Sequence, residues 1–151
     1  MATAFTIANV LSSGVRVLNH DPTKKPGRGT LFFRSVRLDF DAIATSTGTA
    51  VAVNDTYQLF DVAVGDIILM AGINVITACT AAMTADIGFT GSIVDHFMDG
   101  FACNAVTMAP TVTTCLDSPV YISTADTLDL IALAQSPAGG VIEVWALIGR
   151  I

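Results

Sequence analysis

Residues 31–40 read LFFRSVRLDF, and their alternation decides the fold. On a pleated strand, successive side chains point to opposite sides. Phe32, Arg34, Val36, Leu38 and Phe40 therefore share one side, and Phe33, Ser35, Arg37 and Asp39 the other. Arg34 excepted, the first side is apolar, as in a strand half buried against a core. Similar runs, rich in β-branched residues, recur at 5–8, 49–53, 57–60, 66–70, 74–79, 82–89, 119–123, 127–133 and 141–148. Turn residues separate them, among them Gly48, Asn54-Asp55, Gly65, Gly72, Gly91, Gly100 and Pro137-Ala138-Gly139-Gly140. Many short strands split this way predict an all-β protein, a β-sandwich or jelly-roll-like single domain. One short helix is expected at 92–98 (SIVDHFM), with Ser92 as its cap, Asp95 at the third helical position and Ile93, Val94, Phe97 and Met98 as its apolar side.

The segment before this strand has another character. Pro22, Pro26, Gly14, Gly27 and Gly29 oppose regular structure, so residues 1–30 are expected to form an extended N-terminal arm and 31–151 the sandwich domain. The arm also concentrates charge. Arg16, Lys24, Lys25, Arg28, Arg34 and Arg37 are six of the seven basic residues, whereas twelve of the thirteen acidic residues follow position 38. Counting side chains, residues 1–37 carry +5 and the remainder −11. A solvated loop would account for an isolated charge pair but not for so complete a segregation.

Composition limits the setting. Only 13% of residues are charged and the mean hydropathy is +0.65, too little charged surface for a solitary soluble chain. The choice is between a membrane protein and a subunit that hides surface against copies or partners. The uncharged stretch 67–85 is long enough to span a bilayer. However, Gly72, Asn74 and several threonines interrupt it and no basic flank orients it, so two strands around a Gly-Ile-Asn turn are expected there. No charge precedes Arg16, so no signal peptide is expected. Cys79, Cys103 and Cys115 are odd in number and lack zinc-like spacing; they read as small buried hydrophobes.

Chemical motifs are absent. No nucleophile elbow, metalloprotease, P-loop or dinucleotide signature occurs, and His20 and His96 are the only histidines. Asp86, Asp95, His96 and Asp99 form one oxygen-rich cluster, yet their spacing does not converge them on a metal, so neither an enzyme nor a cofactor is expected. Nucleic acid is an unsuitable partner, because the acidic body would repel a polyanion. A protein partner with acidic surface, including a sister copy, suits the basic arm better.

The run 75–100, VITACTAAMTADIGFTGSIVDHFMDG, resembles a pattern in small structural proteins of tailed bacteriophages. Asp86-Ile87-Gly88 stands at its strand end, Asp95 and Phe97-Met98 at its helical turn, and residues 102–105 at its small-residue stretch. Upstream, residues 54–60 and Val64-Gly65-Asp66, and downstream, 126–132 and 141–147, continue the resemblance, which covers roughly 49–148. The proline-rich basic arm has no counterpart in the pattern. The resemblance implies a virion protein, a capsid decoration or cement subunit. Such a subunit would sit as a homotrimer on the capsid exterior, bind the major capsid protein and be assembled in the host cytoplasm. A tail or head-fibre, receptor-binding component is the alternative. On this reading Arg16, Lys24, Lys25 and Arg28 dock the arm, and Arg34 and Arg37 form intersubunit ion pairs.

Overall fold

A computed structural model describes residues 4–6, 29–89, 91–106, 119–137 and 139–150. The described chain runs β1 (Ala4–Thr6), β2 (Thr30–Asp39), α1 (Phe40–Thr47), β3 (Thr56–Val62), β4 (Asp66–Thr77), β5 (Thr84–Gly88), β6 (Met98–Ala102), β7 (Val120–Tyr121), β8 (Asp126–Leu133) and β9 (Val141–Arg150). The strands form a five-stranded sheet, β1-β3-β8-β5-β6, and a four-stranded sheet, β2-β9-β4-β7. Pairing is antiparallel except between β1 and β3.

One core joins the two sheets, as expected for a β-sandwich. Val36 and Leu38 of β2, Ile73 and Val75 of β4, and Ile142, Val144, Ala146 and Ile148 of β9 meet Tyr57 and Leu59 of β3, Ile87 of β5, and Leu128 and Leu130 of β8. The alternation within 31–40 holds. Its even positions turn inward, and Arg34 is accommodated at the rim by aromatic neighbours.

Three local expectations are overturned. Residues 67–79 contain no turn at Gly72: β4 is one continuous strand of 12 residues. Residues 49–53 form no strand; they lead into a turn in which Ala52 N–H donates to the Asp55 carboxylate at 2.7 Å and Asn54 takes the left-handed conformation, φ 69°. The turn before β4 has the same form. Ala63 N–H donates to Asp66 at 2.9 Å and Gly65 has φ 90°. Ala52-Val53-Asn54-Asp55 and Ala63-Val64-Gly65-Asp66 are thus one turn used twice, each launching a strand.

The helix lies elsewhere than expected. Residues 92–97 are turns and bends leading into β6, whereas α1 follows directly on β2. Asp39 caps α1, its carboxylate accepting from Ala42 N–H at 3.1 Å, and Gly48 closes it at φ 66°. Phe40 and Ile43 sink into the core, with Phe40 edge-on to Tyr57 at 6.1 Å.

Candidate docking face

The four-stranded sheet has one side in the core. On its other side, the odd positions of β2 lie beside Trp145 and Leu147 of β9 and Met70 and Gly72 of β4. Leu31 and Phe33 are 62% and 61% exposed, and Tyr121 of β7, paired with Ile67, is 56% exposed. Trp145 sits on this face at only 4% exposure. Its ring stacks on Phe33 at 5.9 Å and 17°. The indole lies flat because Gly72 has no side chain: a Cβ there would stand 2.6 Å from Trp145 Cζ2. Gly72 is therefore a packing notch and not a bend. Arg37 is exposed on the same face, directly across from Glu143.

Arg34 points the other way. Its guanidinium rests over Phe32 at 5.6 Å and Phe60 at 5.7 Å and donates to the Asp61 carbonyl at 2.6 Å, tying β2 to β3 of the opposite sheet. Burial, joined by the nearby Arg150 charge, lowers its pKa despite the opposing Asp66 and Asp61 charges. Beside it, Arg150 makes a bidentate pair with buried Asp66, Nε to Oδ1 at 2.5 Å and Nη2 to Oδ2 at 2.7 Å. Burial pushes the Asp66 carboxyl up. Hydrogen bonds from Arg150 and Ala63 N–H, with the Arg150 and Arg34 charges, more than offset this and hold the group below its ordinary value. Arg16, Lys24, Lys25 and Arg28 lie outside the described residues. Of the six basic residues singled out in the sequence, the structure thus places two, on opposite sides of one strand.

The acidic cluster is partly real. Asp86 is buried on the outer side of the five-stranded sheet and accepts from Gly100 N–H at 2.7 Å. Among the described residues, no three carboxylate, imidazole or thiol groups gather where a metal ion would sit. Cys79 and Cys103 are free and buried in the core, burial pushing their thiols up to about 11 and about 12. Among the described residues, no helix is long and apolar enough to cross a membrane. An open groove of about 500 Å³ beside α1 is lined by Asp39, already used as the helix cap, and by Asp41.

No protein-family model and no curated protein matches the chain. Solved structures do. A chain in the capsid asymmetric unit of cyanophage Pam1 superposes with a TM-score of 0.57 at 16% identity, covering 88% of this chain and 97% of that one. The fold is one found in phage capsids. A chain in the acidic stable capsid structure of Helicobacter pylori bacteriophage KHP30 matches with a TM-score of 0.54 at 11% identity, covering 83% and 90% of the two chains. A third, from the capsid of Ralstonia phage GP4, covers 99% of both chains at a TM-score of 0.48 and 13% identity. The expected kinship with phage structural proteins is thus met at the level of fold. Asp86-Ile87-Gly88 does end a strand, but Asp95 and Phe97-Met98 lead into β6 without a helical turn.

Proposed function

We propose that the chain is a structural subunit of a phage virion, without a catalytic step. It would be a decoration subunit that binds the exterior of the assembled head and ties capsomers together. The observation that carries this reading is the shared fold: more than four-fifths of the chain superposes on chains from two phage capsids. The exposed Leu31–Phe33 strip, with Tyr121 on the same sheet, supports it by offering apolar surface that an interface would cover. In the proposed arrangement copies associate as a homotrimer and contact the major capsid protein. Lys24, Lys25, Arg28 and Arg16 guide the arm onto acidic protein surface, and Arg37 joins the contact on the sheet face. Several shallow interfaces engaged together give firm attachment, since each later contact forms at high effective concentration.

Adding purified chain to heads that lack it tests the reading. Saturable binding and heads more resistant to heat are expected; no occupancy at micromolar chain would overturn it. Two variants sharpen the result. Leu31→Ser with Phe33→Ser removes apolar contacts of about 1.5 kcal/mol or more each and should weaken head binding about 100-fold. Leu31 is already exposed, whereas Phe33 also covers Trp145, so the pair of changes should cost about 1–2 kcal/mol of stability and leave the chain folded. Lys24→Gln, Lys25→Gln and Arg28→Gln together should flatten the salt dependence of binding, since raising salt from 0.1 to 1 M shrinks the screening length from about 10 Å to about 3 Å. An unchanged salt response would assign the attachment to the apolar strip.

A further inference from the structure

We propose that Asp86 and the 91–100 segment form an acid-tightened clasp, in which one proton from solvent on the Asp86 carboxyl locks that segment against the outer side of the five-stranded sheet. The inference is independent of the virion reading and rests on the β5–β6 register. Ala85 pairs with Phe101 and Ile87 with Met98, so the single residue Asp86 faces two, Asp99 and Gly100. The bulge brings the Gly100 N–H to Asp86 Oδ1 at 2.7 Å, with Gly100 in the left-handed region at φ 62°. It also sets Asp99 across the strand pair from Asp86, where the two like charges repel.

Asp86 is 6% exposed. The groups around it are acidic or neutral: Asp95 from the segment, Asp99 from β6, Thr56 of β3 and Ile131 of β8 on the neighbouring strands. Asp129 stands further along β8, opposite Gly88. His96 is turned between the rings of Phe89, at 5.7 Å, and Phe97, at 5.2 Å. The three described basic residues, Arg34, Arg37 and Arg150, belong to the other sheet. Burial, then repulsion from Asp99 and Asp95, raises the Asp86 pKa despite the Gly100 hydrogen bond.

A carboxyl raised by folding binds its proton more tightly in the folded than in the unfolded chain. Its contribution is fully present when protonated and is lost as pH rises through the folded value. Oδ2 takes the proton, Oδ1 keeps the Gly100 bond, and the repulsion against Asp95 and Asp99 ends.

Thermal unfolding of the full chain between pH 7.5 and 3.5, which passes below the ordinary carboxyl value of about 3.9, with hydrogen exchange of residues 93–100, tests the clasp. The wild-type midpoint should climb on acidification, and exchange in 93–100, corrected for its intrinsic pH dependence, should slow several-fold. Asp86→Asn keeps the Gly100 acceptor without the charge. It should begin with the higher midpoint at pH 7.5, lose most of the climb and exchange slowly throughout. Asp41→Asn, at an exposed position, should keep the wild-type slope. If all three proteins climb equally, the gain is general charge relief and the clasp is overturned. Wild-type exchange in 93–100 that ignores pH overturns it as well, and that measurement stands even if Asp86→Asn fails to fold.

Discussion

Asp66→Asn is expected to lower the unfolding free energy by about 3 kcal/mol, because it removes the anion from a bidentate pair and leaves Arg150 half-buried and uncompensated. Asp66 joins three parts of the fold. It closes the turn through Ala63 N–H, starts β4, and pairs with the end of β9 through Arg150. In a chain of this length the loss corresponds to a midpoint about 6–12 °C lower. The sign of its pH dependence is opposite to that of Asp86. A carboxyl held below its ordinary value stabilises the fold above about pH 4, and that contribution is lost as pH falls through the lower folded value. Wild type and Asp66→Asn should therefore differ most near neutrality and converge in strong acid. Calorimetry at pH 7 and pH 3 checks both statements, and a constant gap would contradict the assignment. Adding Arg150→Met to Asp66→Asn should recover part of the loss, since the orphaned guanidinium is removed with its partner.

Gly88→Ala is expected to cost a similar amount, about 3 kcal/mol, for a steric reason. A Cβ at this position would run into the Ile93 carbonyl oxygen and stand 2.5 Å from the Val94 carbonyl. These are backbone atoms that no rotamer change can move aside. The 91–97 segment would have to lift, straining the Phe89 N–H to Ile93 and Phe97 N–H to Ile87 bonds, each 2.9 Å. Limited proteolysis should show new cleavage within 91–97 together with the lowered melting point. Gly91→Ala is the contrast: its φ of 87° makes alanine unfavourable by about 1 kcal/mol, but nothing lies near the new methyl group. Equal losses in the two variants would show that backbone conformation, and not the notch, sets the cost.

The parts of the fold legible in the sequence were those written in nearest-neighbour alternation. β2, β8 and β9 each carry apolar residues every second position, and each lies where that spacing put it. The misreadings share a cause. Gly72 resembled a turn because it is followed by Ile73-Asn74, yet its glycine serves Trp145, far away in the chain and adjacent only once β4 and β9 pair. SIVDHFM carried a helix cap and an apolar side. The Gly88 notch and the burial of Phe97 and Met98 hold it as a flap instead. The true helix was marked by Asp39 and Gly48 at its ends, but its threonines and aromatic start are weak helix formers that leave residues 41–47 without a clear helical pattern. The Asp66–Arg150 pair had no local signal beyond its half of the repeated Ala-Val-x-Asp turn. For the candidate face, the alternation within 31–40 put Phe33 and Arg37 on the side away from the core, but nothing local showed that Trp145 and Gly72 join them there, since that contact exists only once β2, β9 and β4 pair.

The indole in the Gly72 notch has a practical consequence. It is the chain's single tryptophan, and it is roofed by a phenylalanine on the surface where a partner is proposed to settle. The molecule therefore carries its own optical reporter. Anything that covers or displaces Phe33 changes the polarity around that one fluorophore, so attachment can be followed by intrinsic emission, with no label to disturb the surface being measured.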